Sequence, residues 1–185
     1  MPIVWWPPRS AATAVTDFPP NPAMIPAPPY DVLVLCTGNS ARSVLAEYIL
    51  RAKGRGRFNV VSAGAKPAGR VHPLAIQVLQ DRYGLDARDA RSKSWDEFKG
   101  RPFHFVITVC DHARETCPVW PGQPILAHWS SPDPGHVAGG DEERWLAFVA
   151  VASQIAARSD LLCAFPADKL FDTLAVQAIG DQHRL

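Results

Sequence analysis

Asp31-Val-Leu-Val-Leu-Cys36-Thr-Gly-Asn-Ser-Ala-Arg42-Ser43 is the stretch on which the fold turns. Residues 31–35 form a short apolar run of strand type, a polar loop containing Gly38 follows, and residues 43–53 have helical composition. A strand that passes into a helix through such a loop gathers backbone N–H groups at a helix N-terminus, where the dipole also favours an anion. Gly38 and Asn39 are the residues best able to take left-handed dihedrals there. Cys36 stands at the loop entrance in the same positive field, which is expected to lower its thiol pKa from the ordinary value of about 8.5. Arg42 offers a planar fork of donors for two substrate oxygens, and Ser43 is placed to hydrogen-bond the sulfur. Thr37, Ser40 and Ala41 complete the loop. A lone Cys after a strand is ordinarily a buried, inert thiol. The order strand, Cys, five-residue loop, Arg, Ser, helix points instead to a nucleophile beneath a tetrahedral oxyanion.

Working outward, Phe58 to Ser62 is expected as a second strand, and Pro73 to Tyr83 as a helix with Pro at its first turn and Gly84 beyond its end. Ser94-Trp-Asp-Glu97 has the spacing of a capping box and should open a short helix. Phe103 to Val109 is expected as the third strand and Pro124 to Trp129 as the fourth. Residues 141–158 should form a helix with Asp-Glu-Glu in its first turn, and 167–178 a last one. Strands alternating with helices give an α/β fold, a parallel sheet flanked by helices with right-handed crossovers. Residues 1–29 carry nine of the 18 Pro and are expected as an extended, mobile arm ahead of one domain over 30–185.

A formal net charge of +1 gives no field that would favour nucleic acid or an anionic membrane, which leaves a small ligand as the expected partner. No apolar run reaches the roughly 18 residues of a membrane span and no leader pattern opens the chain, so a cytoplasmic protein is expected. Cys36, Cys110, Cys117 and Cys163 are too few for a disulfide scaffold, and their spacing does not match structural zinc pairs. Cys163 reads as core. Arg51, Lys53, Arg55 and Arg57 read as a solvated turn.

The loop Cys36-TGNSA-Arg42-Ser43 resembles the active-site loop of the low-molecular-weight protein tyrosine phosphatase superfamily. Three further stretches resemble its arsenate-reductase branch: Val106 to Pro118, containing Cys110 and Cys117; His128-Trp129 followed by Asp133-Pro134; and Val61-Ser-Ala-Gly64. The resemblance spans about residues 31–178. Ala41 stands where many of these reductases have another Cys, and Gly135 follows Pro134 in place of the Tyr common in the phosphatases. The resemblance implies a phosphatase-like fold, a thiol-dependent arsenate reductase with a role in arsenical resistance, no tightly bound cofactor, and thioredoxin or a similar external dithiol as reductant. For some of these reductases it also implies a potassium ion beneath the loop, here at Asn39, Glu47, Ser62, Ser94 and Asp96.

Cys36, Cys110 and Asp133 each follow a strand and therefore share one sheet edge. With strand order 2-1-3-4, the first and third strands lie about 4.8 Å apart, so Cys36 and Cys110 can approach the Cα separation of about 5.5 Å that a disulfide needs. Cys117, seven residues on in a loop, can then take over the disulfide from Cys110 and present it to the reductant. Asp133 is the expected general acid. The competing expectation is a phosphatase in which water hydrolyses a phospho-Cys36 intermediate, an enzyme that needs neither Cys110 nor Cys117. A sensor that only captures the anion would not need a thiolate.

Overall fold

Residues 26–181 are described by the structure, a computed structural model. The first 25 residues of the expected N-terminal arm lie outside them. Four parallel strands, β1 (Tyr30–Cys36), β2 (Phe58–Gly64), β3 (Phe105–Thr108) and β4 (Ile125–His128), form one sheet in the order β2-β1-β3-β4. The expected order is therefore the observed one. Val32, Leu33, Val34 and Leu35 are all fully buried, because β1 is central and covered on both faces. Helices α1 (Arg42–Gly54), α2 (Pro73–Tyr83), α3 (Asp111–Glu115), α4 (Asp141–Ala164) and α5 (Thr173–Asp181) connect or follow the strands.

The two sheet edges differ in kind. At the N-terminal edge Tyr30 packs edge-on against Phe105 and Phe171, with ring centroids 6.3 and 5.3 Å apart, and tilted against Phe58 at 6.0 Å. These rings close that edge with apolar surface. The loops that follow β1, β3 and β4 all leave from the opposite edge, which is where ligands bind in open parallel sheets.

Boundaries depart from expectation in instructive ways. β1 and β2 run on to Cys36 and Gly64, so the nucleophile candidate is itself the last residue of its strand. β3 and β4 are shorter than expected, with Phe103 and Trp129 buried outside the ladder. α4 runs six residues beyond the expected end at 158 because Ser159 and Leu162 keep its buried stripe going. By length and composition alone α4 could cross a membrane, which a count of uninterrupted apolar residues missed. Phe148, Val151, Ala152 and Ile155 are buried in the core, and the helix packs on α1 and α2. α5 starts later than expected, at Thr173, where the Asp172 side chain accepts from the N–H of Leu174 and Ala175. Ser94 does cap, accepting from Asp96 N at 3.2 Å, but what it opens is one 3-10 turn, Trp95–Phe98.

α5 rests directly on the end of β4. A Cβ placed on Gly180 would lie 2.0 Å from the His128 carbonyl oxygen, so only glycine permits this approach. Gly180→Ala is expected to cost about 1–3 kcal/mol in urea unfolding, by forcing α5 off the sheet.

Candidate active site

The loop between β1 and α1 is held from outside through its carbonyls. Those of Cys36, Thr37, Gly38 and Ser40 accept from the N–H groups of Ala65, Lys66, Ala68 and His72 at 2.8–3.1 Å, and the Ser92 hydroxyl donates to Gly38 at 3.0 Å. With the carbonyls turned outward, the loop N–H groups are left to converge inward. Asn39 takes the left-handed conformation with φ of 44°, as expected, whereas Gly38 stays outside that region. Gly64 permits the close packing of β2 against this loop, since a Cβ there would sit 2.7 Å from Thr37 O and 2.9 Å from Asn39 N.

Cys36 Sγ accepts from Asn39 N at 3.0 Å and lies 2.8 Å from Ser43 Oγ. The proton on Ser43 can be assigned. Asn39 Nδ2 donates to Ser43 Oγ at 2.9 Å and to Ser62 Oγ at 2.8 Å, and Asn39 Oδ1 accepts from Lys93 N at 2.6 Å, which fixes the amide orientation. The Ser62 hydroxyl donates to Glu47 Oε2. Since Ser43 already accepts from Asn39, its hydroxyl proton is free to point at the sulfur, as a thiolate requires.

Burial pushes the Cys36 thiol up, and this outweighs the hydrogen bonds from Ser43 and Asn39 and the charge of Arg42, which pull it down. The expectation of a depressed thiol is therefore corrected: desolvation at 3% exposure is the larger effect. The hydrogen bonds and the α1 N-terminus limit that rise.

Arg42 ion-pairs with Asp133 Oδ2 and donates to the Ser131 carbonyl at 3.2 Å, so helix α1 and the loop after β4 meet over Cys36. Asp133 also caps the 3-10 turn Pro134–His136, accepting from Gly135 N at 3.0 Å. Behind this loop the fully buried Arg158 of α4 donates to Ser130 O at 2.9 Å and Ser131 Oγ at 3.1 Å. Cys110, the N-cap of α3, is 5% exposed, and its Sγ lies 3.4 Å from the Thr37 hydroxyl, which brings it to the rim of the loop. The segment from Cys110 to Cys117 was expected as a loop, but α3 occupies most of it. Cys117 is half-buried beyond the end of α3, and burial pushes its thiol up.

With this arrangement in view, the description "low molecular weight phosphotyrosine protein phosphatase" matches residues 31–165. The chain belongs to that family. An arsenate reductase of Halalkalibacterium halodurans is 34% identical over 127 residues, covering 69% of this chain and 90% of the relative. A solved arsenate reductase in its phosphate-binding state superposes with a TM-score of 0.62 at 29% identity, over 73% of this chain and 97% of the other. A thioredoxin-dependent arsenate reductase of Corynebacterium glutamicum gives 0.50 at 29% identity, over 70% and 59%.

Within this phosphatase-like frame, the potassium set does not fit. Asn39, Glu47 and Ser62 do cluster, but Asn39 turns its NH2 group and not its oxygen toward Ser62. Glu47 Oε1 is taken by Arg51, and Oε2 is shared by Ser62 and the Lys93 ammonium, 3.0 Å away. Asp96 faces outward and pairs with Lys99 at 2.6 Å, while Ser94 is engaged with Asp96. A cation placed here would meet an ammonium group.

Other histidines have structural partners. His72 caps α2, its Nδ1 accepting from Leu74 N, and His128 bridges Thr108 and Asp111 at 2.8 and 3.0 Å, joining β4 to α3. Cys163, expected in the core, sits half-buried at the end of α4 and packs against the core from its periphery. Residues 65–72, Ser131, Arg158 and Lys93 were not singled out in the sequence. None carries a motif, and Lys93 looks like any lysine ahead of a capping Ser.

Ser43→Ala removes the donor to Cys36. Alkylation of Cys36 by iodoacetamide near neutral pH, followed by peptide mass spectrometry, is expected to slow about tenfold. Because the thiol is raised, the native rate should climb steadily with pH past neutrality as the thiolate fraction grows, and the variant's curve should lie further to the alkaline side.

Proposed function

We propose that this chain is an arsenate reductase that passes oxidising equivalents from Cys36 to Cys110 to Cys117. The observation that carries the proposal is the Cys110 thiol at the rim of the oxyanion loop, in contact with Thr37 and followed by a second thiol beyond α3. A phosphatase that releases phosphate with water has no use for either. The curated relative in Halalkalibacterium halodurans and the phosphate-binding structure support the same substrate class, a tetrahedral oxyanion of arsenic or phosphorus.

In the proposed sequence the Cys36 thiolate attacks arsenic, Arg42 exchanges Asp133 for two oxygens of arsenate, and Asp133 protonates the oxygen that leaves as water. The N–H groups of Thr37, Gly38, Asn39, Ser40 and Ala41 cradle the remaining oxygens. Cys110 then attacks Cys36 Sγ. The S–As bond breaks, its electron pair reduces arsenic from the pentavalent to the trivalent state, arsenite departs, and a Cys36–Cys110 disulfide remains. Ser43 stabilises the Cys36 thiolate when Cys117 in turn displaces it from Cys110.

That last exchange needs motion. α3, whose five residues rise about 7.5 Å, stands between Cys110 and Cys117, and in the proposed exchange it unwinds so that the two reach the Cα separation of about 4.4–6.8 Å that a disulfide spans. It is well suited to do so, being a single short turn with bonds from Arg114 N to Cys110 O and from Thr116 N to His112 O, a length at which isolated helix is marginal. Unwinding exposes the Cys110–Cys117 disulfide to an external dithiol, for which thioredoxin is the best-supported candidate given the dependence of the Corynebacterium glutamicum relative. Such chemistry belongs in the cytoplasm, where thiols stay reduced.

Arsenate-dependent NADPH oxidation with thioredoxin and thioredoxin reductase is expected for the native chain and is expected to vanish in Cys110→Ser, while any hydrolysis of para-nitrophenyl phosphate stays weak and unchanged. Strong hydrolysis without arsenate-dependent oxidation would make the chain a phosphatase with two packing cysteines.

A further inference from the structure

A buried chain of polar groups runs from the surface to the nucleophile, and it begins at a lysine. Lys93 Nζ lies 3.0 Å from Glu47 Oε2, with both side chains largely withdrawn from solvent, at 12% and 6% exposure. Glu47 Oε2 accepts from Ser62, Ser62 accepts from Asn39, Asn39 donates to Ser43, and Ser43 touches Cys36 Sγ. The backbone N–H of the same Lys93 holds Asn39 Oδ1 at 2.6 Å, so one residue fixes the chain at two points.

The polarity of this chain is set by the Glu47 carboxylate at one end and by Lys93 N on the Asn39 oxygen. A carboxylate can only accept, which obliges Ser62 to donate to it and accept from Asn39. Asn39 then has to present its NH2 group to Ser43, and the Ser43 proton is left for the sulfur. A carboxylate withdrawn from water is costly unless it is paired and hydrogen-bonded. Arg51 contacts the other oxygen from a half-exposed position, at 46% exposure. Lys93, at 12% exposure, is the more sheltered counter-charge and lies on the oxygen that meets Ser62.

We propose that Lys93 is a positioning residue that acts as a built-in cation for the oxyanion loop. Its ammonium pairs with the Glu47 carboxylate and its backbone N–H holds the Asn39 amide, and together they aim the Ser43 hydroxyl at Cys36, leaving the loop independent of alkali metal ions. The inference rests on the loop being the reactive site, as proposed above, but not on arsenate being its substrate.

The test follows two readouts that need no turnover: the iodoacetamide alkylation rate of Cys36, and protection against it by inorganic phosphate. Both are measured in potassium, sodium and choline chloride at equal ionic strength. Native protein is expected to give the same values in all three salts. In Lys93→Met, alkylation should fall about tenfold near neutral pH, its pH profile should move to the alkaline side, and phosphate protection should weaken. Potassium should restore part of the loss where choline does not, and Lys93→Arg should recover most of it. A native protein that responds to potassium overturns the inference. So does a Lys93→Met protein that behaves like the native one, or a Lys93→Arg protein as impaired as Lys93→Met. If the readouts behave as stated while arsenate turnover is absent, the proposed activity fails and the role of Lys93 stands.

Discussion

The side chain of Asn39 is the point on which the site depends. Its two N–H groups go to Ser43 and Ser62, its oxygen is held by Lys93 N, and its own backbone N–H points at Cys36 Sγ. Because all three side-chain bonds are made, the amide has one orientation, and the proton positions of Ser43 and Ser62 follow from it. The left-handed backbone of the same residue bends the loop so that its carbonyls face the Ala65–His72 segment. Loop shape and nucleophile chemistry are thus fixed by a single residue. A change there would disturb both at once.

Around that hub three strands bring the candidate residues to one edge of the sheet. β1 delivers Cys36, β3 delivers Cys110 one strand away, and β4 delivers the loop carrying Asp133, with Arg42 reaching across from α1 to join the first and the last. Arg158 braces the loop after β4 from behind, and the His128–Asp111 contact joins β4 to the short helix between Cys110 and Cys117. The Cys36–Ser43 loop is tied down by hydrogen bonds on several sides, whereas the proposed thiol exchange falls on a one-turn helix flanked by Cys110 and Cys117.

Much of this was legible in the sequence because it is local. The run from Asp31 to Ser43 contains the strand, the loop and the helix start in one piece, and the alternation of strands and helices is enough to imply a parallel sheet. Pro73 and Gly84 bound α2 as expected, since a first-turn Pro and a left-handed glycine act through backbone geometry alone. What the sequence did not disclose is non-local. Lys93 reaches Glu47 across 46 positions and Arg158 reaches Ser131 across 27, and no periodicity or spacing encodes such pairs. α3 was missed because five residues are too few to show a helical period. The state of the Cys36 thiol was misjudged for a related reason: the helix dipole can be inferred from the order of elements, but burial is known only once the loop is closed.

If electrons reach the oxyanion from Cys110 through Cys36, as proposed, the step can be caught in a single turnover. Fully reduced Cys117→Ser protein mixed with one equivalent of arsenate, quenched with acid and mapped by peptide mass spectrometry should contain a Cys36–Cys110 disulfide, accompanied by one equivalent of arsenite. A mapped protein in which Cys36 and Cys110 both remain thiols, with no arsenite formed, would contradict the account.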